Sequence, residues 1–337
     1  MAVTTGGRST SKPPRSAWRR FLGMRESGVF LVLASMYVAM WFVSPVFRAR
    51  FNQVSILSQM AVFAVLAIGQ TMVIVSGGFD LSQGPIAALA GMLGGLAIKN
   101  WGWSPLAGIG FGLAIGLACG VFNGLIITRL QFEPVVATLA ASSIYSGIMY
   151  SMTKGNTVVE LPPQFTWLGS GDLGPLPAGV VVMFALYALM QFVLTTSEFG
   201  RHVFLIGSNK EAARLAGINV ERTQFGIFLT SALVASLGGI MLAGRISAAQ
   251  PQMGAGLMLP TVAAAIVGGT WLTGGVGSMF GTLMGAAIMA VLKNAIVVLR
   301  VNIYLQEFVV GVVVVLAVVI DQVRRGNLSL SLLRRRA

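Results

Sequence analysis

Apolar stretches of about twenty residues recur from Val29 to Ile320, and that recurrence leaves the chain few folds to adopt. Where lipid surrounds a segment, every backbone N–H and C=O must bond within the protein, so helices are the natural spanning element. Only 10% of the residues are charged and 55% are hydrophobic, whereas a soluble domain carries about 25% charged residues. So little charge cannot cover a water-facing surface. The sequence predicts one all-α, polytopic integral membrane unit, with no room for a sizeable soluble domain.

A bilayer core about 30 Å thick needs roughly 20 residues of helix rising 1.5 Å each. Helices are expected near 28–45, 54–76, 83–98, 105–128, 134–152, 178–197, 223–244, 261–273, 277–298 and 303–320. That makes about ten transmembrane helices, some broken or short; the run 261–273 is the weakest, being short and rich in Gly and Thr. The first span follows Arg8, Lys12, Arg15, Arg19, Arg20 and Arg25, lacks a small-residue cleavage site, and reads as an uncleaved anchor. An even number of spans puts both basic termini on one side, which the Lys/Arg rule makes the cytoplasm. The expected organisation is a basic cytoplasmic tail at 1–26, a transmembrane domain at 27–320 with a cytoplasmic loop at 198–222, and a basic cytoplasmic tail at 321–337. The Gly/Pro-rich stretch 153–177 then lies outside. Arg48 and Arg50 also fall outside, against the rule, but the termini carry more charge.

The net charge of +13 reports topology, because six basic residues precede Glu26 and five follow Asp321. Such tails attract anionic headgroups, so membrane lipid is an expected partner. They lack aromatic interleaving and any RNA or DNA motif, so nucleic acid is not. Cys119 is the only cysteine, which excludes an intramolecular disulfide and a cysteine-rich metal site. No Gly-x-x-x-x-Gly-Lys-Ser/Thr loop is present, so energy must come from another subunit or a gradient. His202 beside Arg201 reads as a solvated loop residue. No nucleophile–base set or two-metal carboxylate site is recognisable. We expect no enzyme, no cofactor and no metal.

Three polar stretches interrupt the apolar pattern. The first, Ser76-Gly77-Gly78-Phe79-Asp80-Leu81-Ser82-Gln83-Gly84-Pro85, predicts a broken helix whose freed backbone groups face protein or a water-filled cavity. An ionisable group at such a break marks function by default, which makes Asp80 the leading candidate. Asp80 or Ser82 can equally cap the following helix. The second, Gly268-Gly269-Thr270-Trp271-Leu272-Thr273-Gly274-Gly275, shares the entry of the first: a β-branched apolar run, then Gly-Gly. Transporters often pair discontinuous helices in this way. The third runs from Gly207 to Gly217. Ser208 and Glu211 form a capping box, the alanines favour helix, and Gly217 supplies a left-handed stop. A helix of about nine residues, roughly 13 Å long, follows; on residue chemistry alone it lies in the headgroups. The pairs Gly91/Gly95, Gly108/Gly112, Gly112/Gly116, Gly116/Gly120, Gly120/Gly124 and Gly281/Gly285 have the spacing of close helix packing.

Glu211, Ala212 and Ala213, with Gly217 four positions after the second Ala, resemble the cytoplasmic signature of permease subunits of bacterial ABC importers. That signature continues Ile-x-Leu-Pro, and this chain reads Ile227, Phe228, Leu229, then Thr230 in place of proline. Gly78-Phe79-Asp80-Leu81-Ser82, Ala248-Ala249-Gln250-Pro251, the two Gly-Gly pairs around Thr270, and Val318-Val319-Ile320-Asp321 resemble the ribose/xylose/autoinducer-2 branch in that order. The resemblance implies an ABC importer permease fold in a bacterial inner membrane and a second permease subunit, identical or not. It also implies a cytoplasmic sugar-type ABC ATPase and a periplasmic substrate-binding protein. In that family the loop helix docks into a cleft of the ATPase, which assigns coupling to Ser208, Glu211, Ala212, Ala213, Arg214 and Gly217. Ribose-type members tend to carry acids on either side of a Leu after Gln-Pro, whereas this chain reads Gly256-Leu257-Met258-Leu259-Pro260-Thr261. Ribose is therefore not named.

A neutral, hydroxyl-rich ligand needs amides, hydroxyls and an occasional acid along its pathway. Gln70, Thr71, Asp80, Ser82, Gln83, Asn123, Gln250 and Asn294 qualify, and Phe79, Trp271 and Tyr145 offer aromatic faces to a sugar ring. The second reading is an ATP-independent secondary transporter or facilitator, with Asp80, Glu133, Lys293 and Glu307 as its few relay candidates.

Overall fold

The structure is a computed structural model and describes residues 27–324; the tail 1–26 and the part of the C-terminal tail beyond Arg324 lie outside the described residues. Helix α1 (Ser27–Val43) and a single turn, α2 (Pro45–Arg48), lead into α3 (Arg50–Val75). Then come α4 (Gln83–Trp101), α5 (Pro105–Thr128) and α6 (Pro134–Thr153), followed by strand β1 (Val158–Val159) and helix α7 (Pro163–Ser170). A hairpin of β2 (Asp172–Leu173) and β3 (Leu176–Pro177) precedes α8 (Ala178–Thr196), α9 (Glu198–Ser208), α10 (Lys210–Leu215) and α11 (Val220–Ile246). Strand β4 (Ala248–Ala249), a tight turn at Pro251–Gly254, α12 (Met258–Val267), α13 (Met279–Val298) and α14 (Gln306–Arg324) complete the order.

Local chemistry sets these boundaries. Pro105, Pro134 and Pro163 open helices, where a missing N–H costs nothing. Ser104 and Ser278 accept the first free N–H groups of α5 and α13. Among the described residues, α3, α5, α6, α8, α11 and α13 are long and apolar enough to cross a membrane. The runs 27–43, 251–267 and 303–319 are apolar but shorter.

Several expectations need correction. The first helix stops at Val43, because Ser44 caps α2, whose Phe47 is fully buried. The stretch 153–177, to which the sequence assigned no element, holds a short helix and three short strands. Pro162-Pro163 starts α7, Phe165 anchors it, and β1 pairs antiparallel with β4 through Val158↔Ala249 and Val159↔Ala248. The expected helix at 261–273 is α12, starting at Met258 and stopping at Val267, where Gly269 turns left-handed. Its ten residues span about 15 Å, half of a bilayer core.

Burial is uneven, and that separates core from lipid face. The apolar window of α3 is 89% buried, whereas that of α6 is 28% buried. Helix α11 is the hub, packed against α3, α4, α5 and α7. Its approach to α5 is antiparallel and runs along the glycine ladder. A Cβ at Gly116 would lie 2.3 Å from the Ser236 side chain, and one at Gly120 would lie 2.9 Å from Ala232 Cβ. The spacing identified in the sequence is therefore a packing surface, as small residues allow. Gly281 and Gly285 do the same for α13 against α12. We predict that Gly116→Ala lowers stability by about 1–3 kcal/mol through overpacking. Gly110→Ala, where nothing lies within 4 Å of the added carbon, leaves the melting temperature in detergent unchanged or slightly raised.

Candidate functional site

Helix α3 ends at Val75 and α4 begins at Gln83, so the first polar stretch is a true break. Backbone groups freed there need partners, and Asp80 and Thr138 each take one. Asp80 Oδ1 accepts from Ser82 N at 2.9 Å and from Ser82 Oγ at 2.6 Å, and its Oδ2 accepts from Ser231 Oγ of α11 at 2.7 Å. Gln83 Nε2 donates to Ser231 Oγ at 2.8 Å, and Asn123 Nδ2 of α5 donates to Ser82 Oγ at 2.8 Å. Tyr145 of α6 donates its hydroxyl to Asn123 Oδ1 at 2.7 Å, and Thr138 Oγ1 accepts from Leu81 N at 3.1 Å. Asp80, Ser82, Gln83, Ser231 and Thr138 are fully buried, and Asn123 is 1% exposed. One cluster thus stitches the break to α5, α6 and α11.

This arrangement revises two expectations. Asp80 does not act as the N-cap residue of α4; Ser82 holds that position, without a side-chain cap bond, and Asp80 holds Ser82. The ring of Tyr145 is buried against Phe122 with its hydroxyl committed, so it offers no face to a sugar. Ser231 was missed, being 151 positions from Asp80 and one of several hydroxyl residues on its helix.

The second break meets the first. Gly275 N donates to Val75 O at 2.8 Å, and the end of α9 sits in the same junction. A Cβ on Gly207 would lie 1.7 Å from Val75 O and 2.6 Å from Gly275 N, so only glycine fits. Trp271, half-buried in the second break, receives its place from its backbone N–H to Val276 O. Phe79 is half-buried in the first.

The loop 198–222 holds two helices. Amphipathic α9 buries Val203 and Ile206, and α10 follows after one residue. The cap of α10 is Asn209, whose Oδ1 accepts from Ala212 N at 2.9 Å. Ser208 is not the cap, because it is still helical in α9 and its hydroxyl donates to Phe204 O. The expected nine-residue helix is accordingly the six residues Lys210–Leu215. Ala213 packs under it with Ile206, Val220 and Ile218, and Gly217 closes it at φ +83. Arg214 bridges Glu221 at 2.6 Å and Glu211 at 3.1 Å, and the Glu221 hydrogen bond raises its guanidinium above the ordinary value. Glu211 projects outward, and Leu215 is 91% exposed. So bare an apolar side chain stands out on a charged loop, whereas Ile218 three residues on is packed against Ala213.

The remaining candidates lie apart from that cluster. Thr71 bonds Thr282 of α13 at 2.8 Å. Asn294 pairs with Asn52 at 2.7 Å, about 34 Å along α3 from the break. Buried Lys293 sits beside it, 5.0 Å from the centre of the Phe63 ring. Gln250 is exposed beyond the end of α11. Gln70 is fully buried, and neither its amide nor Gln83 Oε1 has a protein partner among the described residues.

A family model described as branched-chain amino acid transport system / permease component matches residues 52–318. The chain is 34% identical over 302 residues to ribose import permease protein RbsC of Bacillus subtilis (strain 168), covering 89% of this chain and 93% of that one. It is 31% identical over 287 residues to fructose import permease protein FrcC of Rhizobium meliloti, covering 82% and 79%. Among solved structures it is similar to a metal-chelate type ABC transporter in an inward-facing conformation, with TM-score 0.51, 18% identity, and coverage of 87% and 98%. That last likeness shows a shared fold.

Asp80→Ala leaves three buried donors short of an acceptor and is expected to destabilise by about 1–3 kcal/mol for each unmet group. Asp80→Asn, which keeps Oδ1, loses less; thermal unfolding of both in detergent is the check. Gly207→Ala is expected to disrupt the junction, read as faster proteolysis of the loop 198–222 than in wild type.

Proposed function

We propose a working cycle for this chain, which belongs to the branched-chain amino acid transport system / permease component family and is the permease subunit of an ABC importer. Its relatives are named for ribose and fructose import, and its interior offers amides and hydroxyls instead of charge pairs. Both favour a monosaccharide or sugar-like solute as the cargo. The acid-free stretch Gly256–Thr261 departs from the ribose-type pattern, so the reading stops at the class.

The observation that carries the cycle is the three-way junction. The end of α9 wedges between both Gly-Gly breaks, and α10 stands exposed just beyond it. In our reading a cytoplasmic sugar-type ATPase grips α10 through Glu211 and Leu215. ATP-driven closure moves α9, which shifts Val75 and Gly275 together. The ends of α3 and α13 then open or shut a path between this chain and a second permease subunit, to which a periplasmic binding protein delivers the solute. The chain itself performs no catalysis. Gln70 and Gln83, with amide atoms still unmatched, are the side chains best suited to meet ligand hydroxyls near the break.

With α10 in the cytoplasm, ten passes are counted if α1, α4, α14 and the whole run 251–267, of which α12 covers half the depth, join the six long helices. Both basic tails then lie in the cytoplasm of a bacterial inner-membrane protein, the side Lys/Arg-rich segments prefer.

Reconstitution with the ATPase and binding protein tests the cycle. Glu211→Lys, Gly217→Pro and Leu215→Glu are each expected to lower ligand-stimulated ATP hydrolysis at least about tenfold, the effect of about 1.4 kcal/mol of lost docking energy. Normal stimulation by any properly assembled variant rejects the docking role of that residue.

A further inference from the structure

A groove separate from the buried cluster opens at the end of the bundle that carries α10. It lies between the end of α5 and the first turns of α11, has a volume of about 730 Å³, and is lined by Leu125, Thr128, Arg129, Asn219, Arg222 and Phe225. Arg129 and Arg222 are exposed, and among the described residues no carboxylate lies within ion-pair distance of either. Glu221 also borders the groove, but Arg214 already takes its carboxylate at 2.6 Å. The groove therefore presents two unneutralised guanidinium groups beside apolar walls.

An apolar stripe leads away from it. Leu117, Val121 and Leu125 are 43%, 36% and 45% exposed and follow each other at four-residue spacing, with Arg129 as the next step. Side chains four apart share one helix face. From Leu117 to Arg129 the stripe is about 18 Å long, close to the ~15 Å half-thickness of a bilayer core. A cationic end and an apolar track of that length match one kind of molecule.

We propose that this groove binds an anionic phospholipid, with the phosphate between Arg129 and Arg222 and one acyl chain along Leu117, Val121 and Leu125. Planar guanidinium groups suit phosphate oxygens, and basic pockets between helices at the membrane surface hold such headgroups. A soluble subunit could meet the arginines but has no reach along the stripe, and a free phosphate would leave the stripe idle. The site borders Glu221, which Arg214 links to Glu211 on α10, so a bound lipid touches the coupling segment directly.

Native mass spectrometry tests this on the full chain, exchanged from detergent into equal phosphatidylglycerol and phosphatidylcholine. Wild type is expected to retain phosphatidylglycerol about tenfold over phosphatidylcholine, as two surface arginines allow. R129Q/R222Q lowers that preference severalfold, to the level that the basic tails sustain, R129K/R222K keeps most of it, and R300Q, in the turn after α13, leaves it intact. The basic tails are present throughout and cancel in the comparison. Equal retention by wild type, or an unchanged preference in R129Q/R222Q, overturns the proposal. Displacement by millimolar inorganic phosphate overturns it in favour of a free-anion site. Repeating the measurement on the complex assembled with the ATPase must still find the lipid; its loss there assigns the groove to a protein contact.

Discussion

Lipid offers no hydrogen bonds, and that single deficit governs how this chain can interrupt a helix. Each broken turn must be repaired from within the protein. At the first break the repair is Asp80, which gathers Ser82 and Ser231 while Asn123, Tyr145 and Thr138 complete the set. Four helices meet through it, so the break is a fixed joint rather than a loose connector. A missing acceptor in such a network is costly because the low-dielectric surroundings offer no substitute.

The apolar helices around this joint have a different problem. Lipid tails are as apolar as leucine, so helix association relies on close van der Waals contact. The glycine ladder on α5 and Gly238–Gly239 on α11 let backbones approach where any side chain would collide. Shape complementarity thus stands in for the hydrophobic drive available in water.

Much of the fold was legible because a membrane helix is announced by a long apolar run. The ends of α5, α6 and α13 matched the expected ones to within a few residues, since Pro105, Pro134 and Ser278 are local signals. Helices α7 and α9 went unread because they are short and only partly apolar, although Val203 and Ile206 carry a helical spacing. Asn209 and Ser208 were both competent caps, and only the extent of α9 decides between them. At the candidate site, the position of Asp80 in a helix break was visible from its setting. Its partner Ser231 was not, since nothing local to either residue points to the other. Asn294 had the right chemistry but pairs with Asn52 far from the break, and composition cannot report distance.

The short pairing of β1 with β4 has a mechanical meaning. It fastens the end of α11 remote from α9 to the connection after α6. The other end of α11 follows α10 and is tied to it by side chains, through the Arg214–Glu221 bridge, rather than by backbone pairing. In the proposed cycle a force entering near Gly207 would meet a bundle pinned at its opposite rim, an arrangement that favours tilt about that pivot over a slide along the membrane normal.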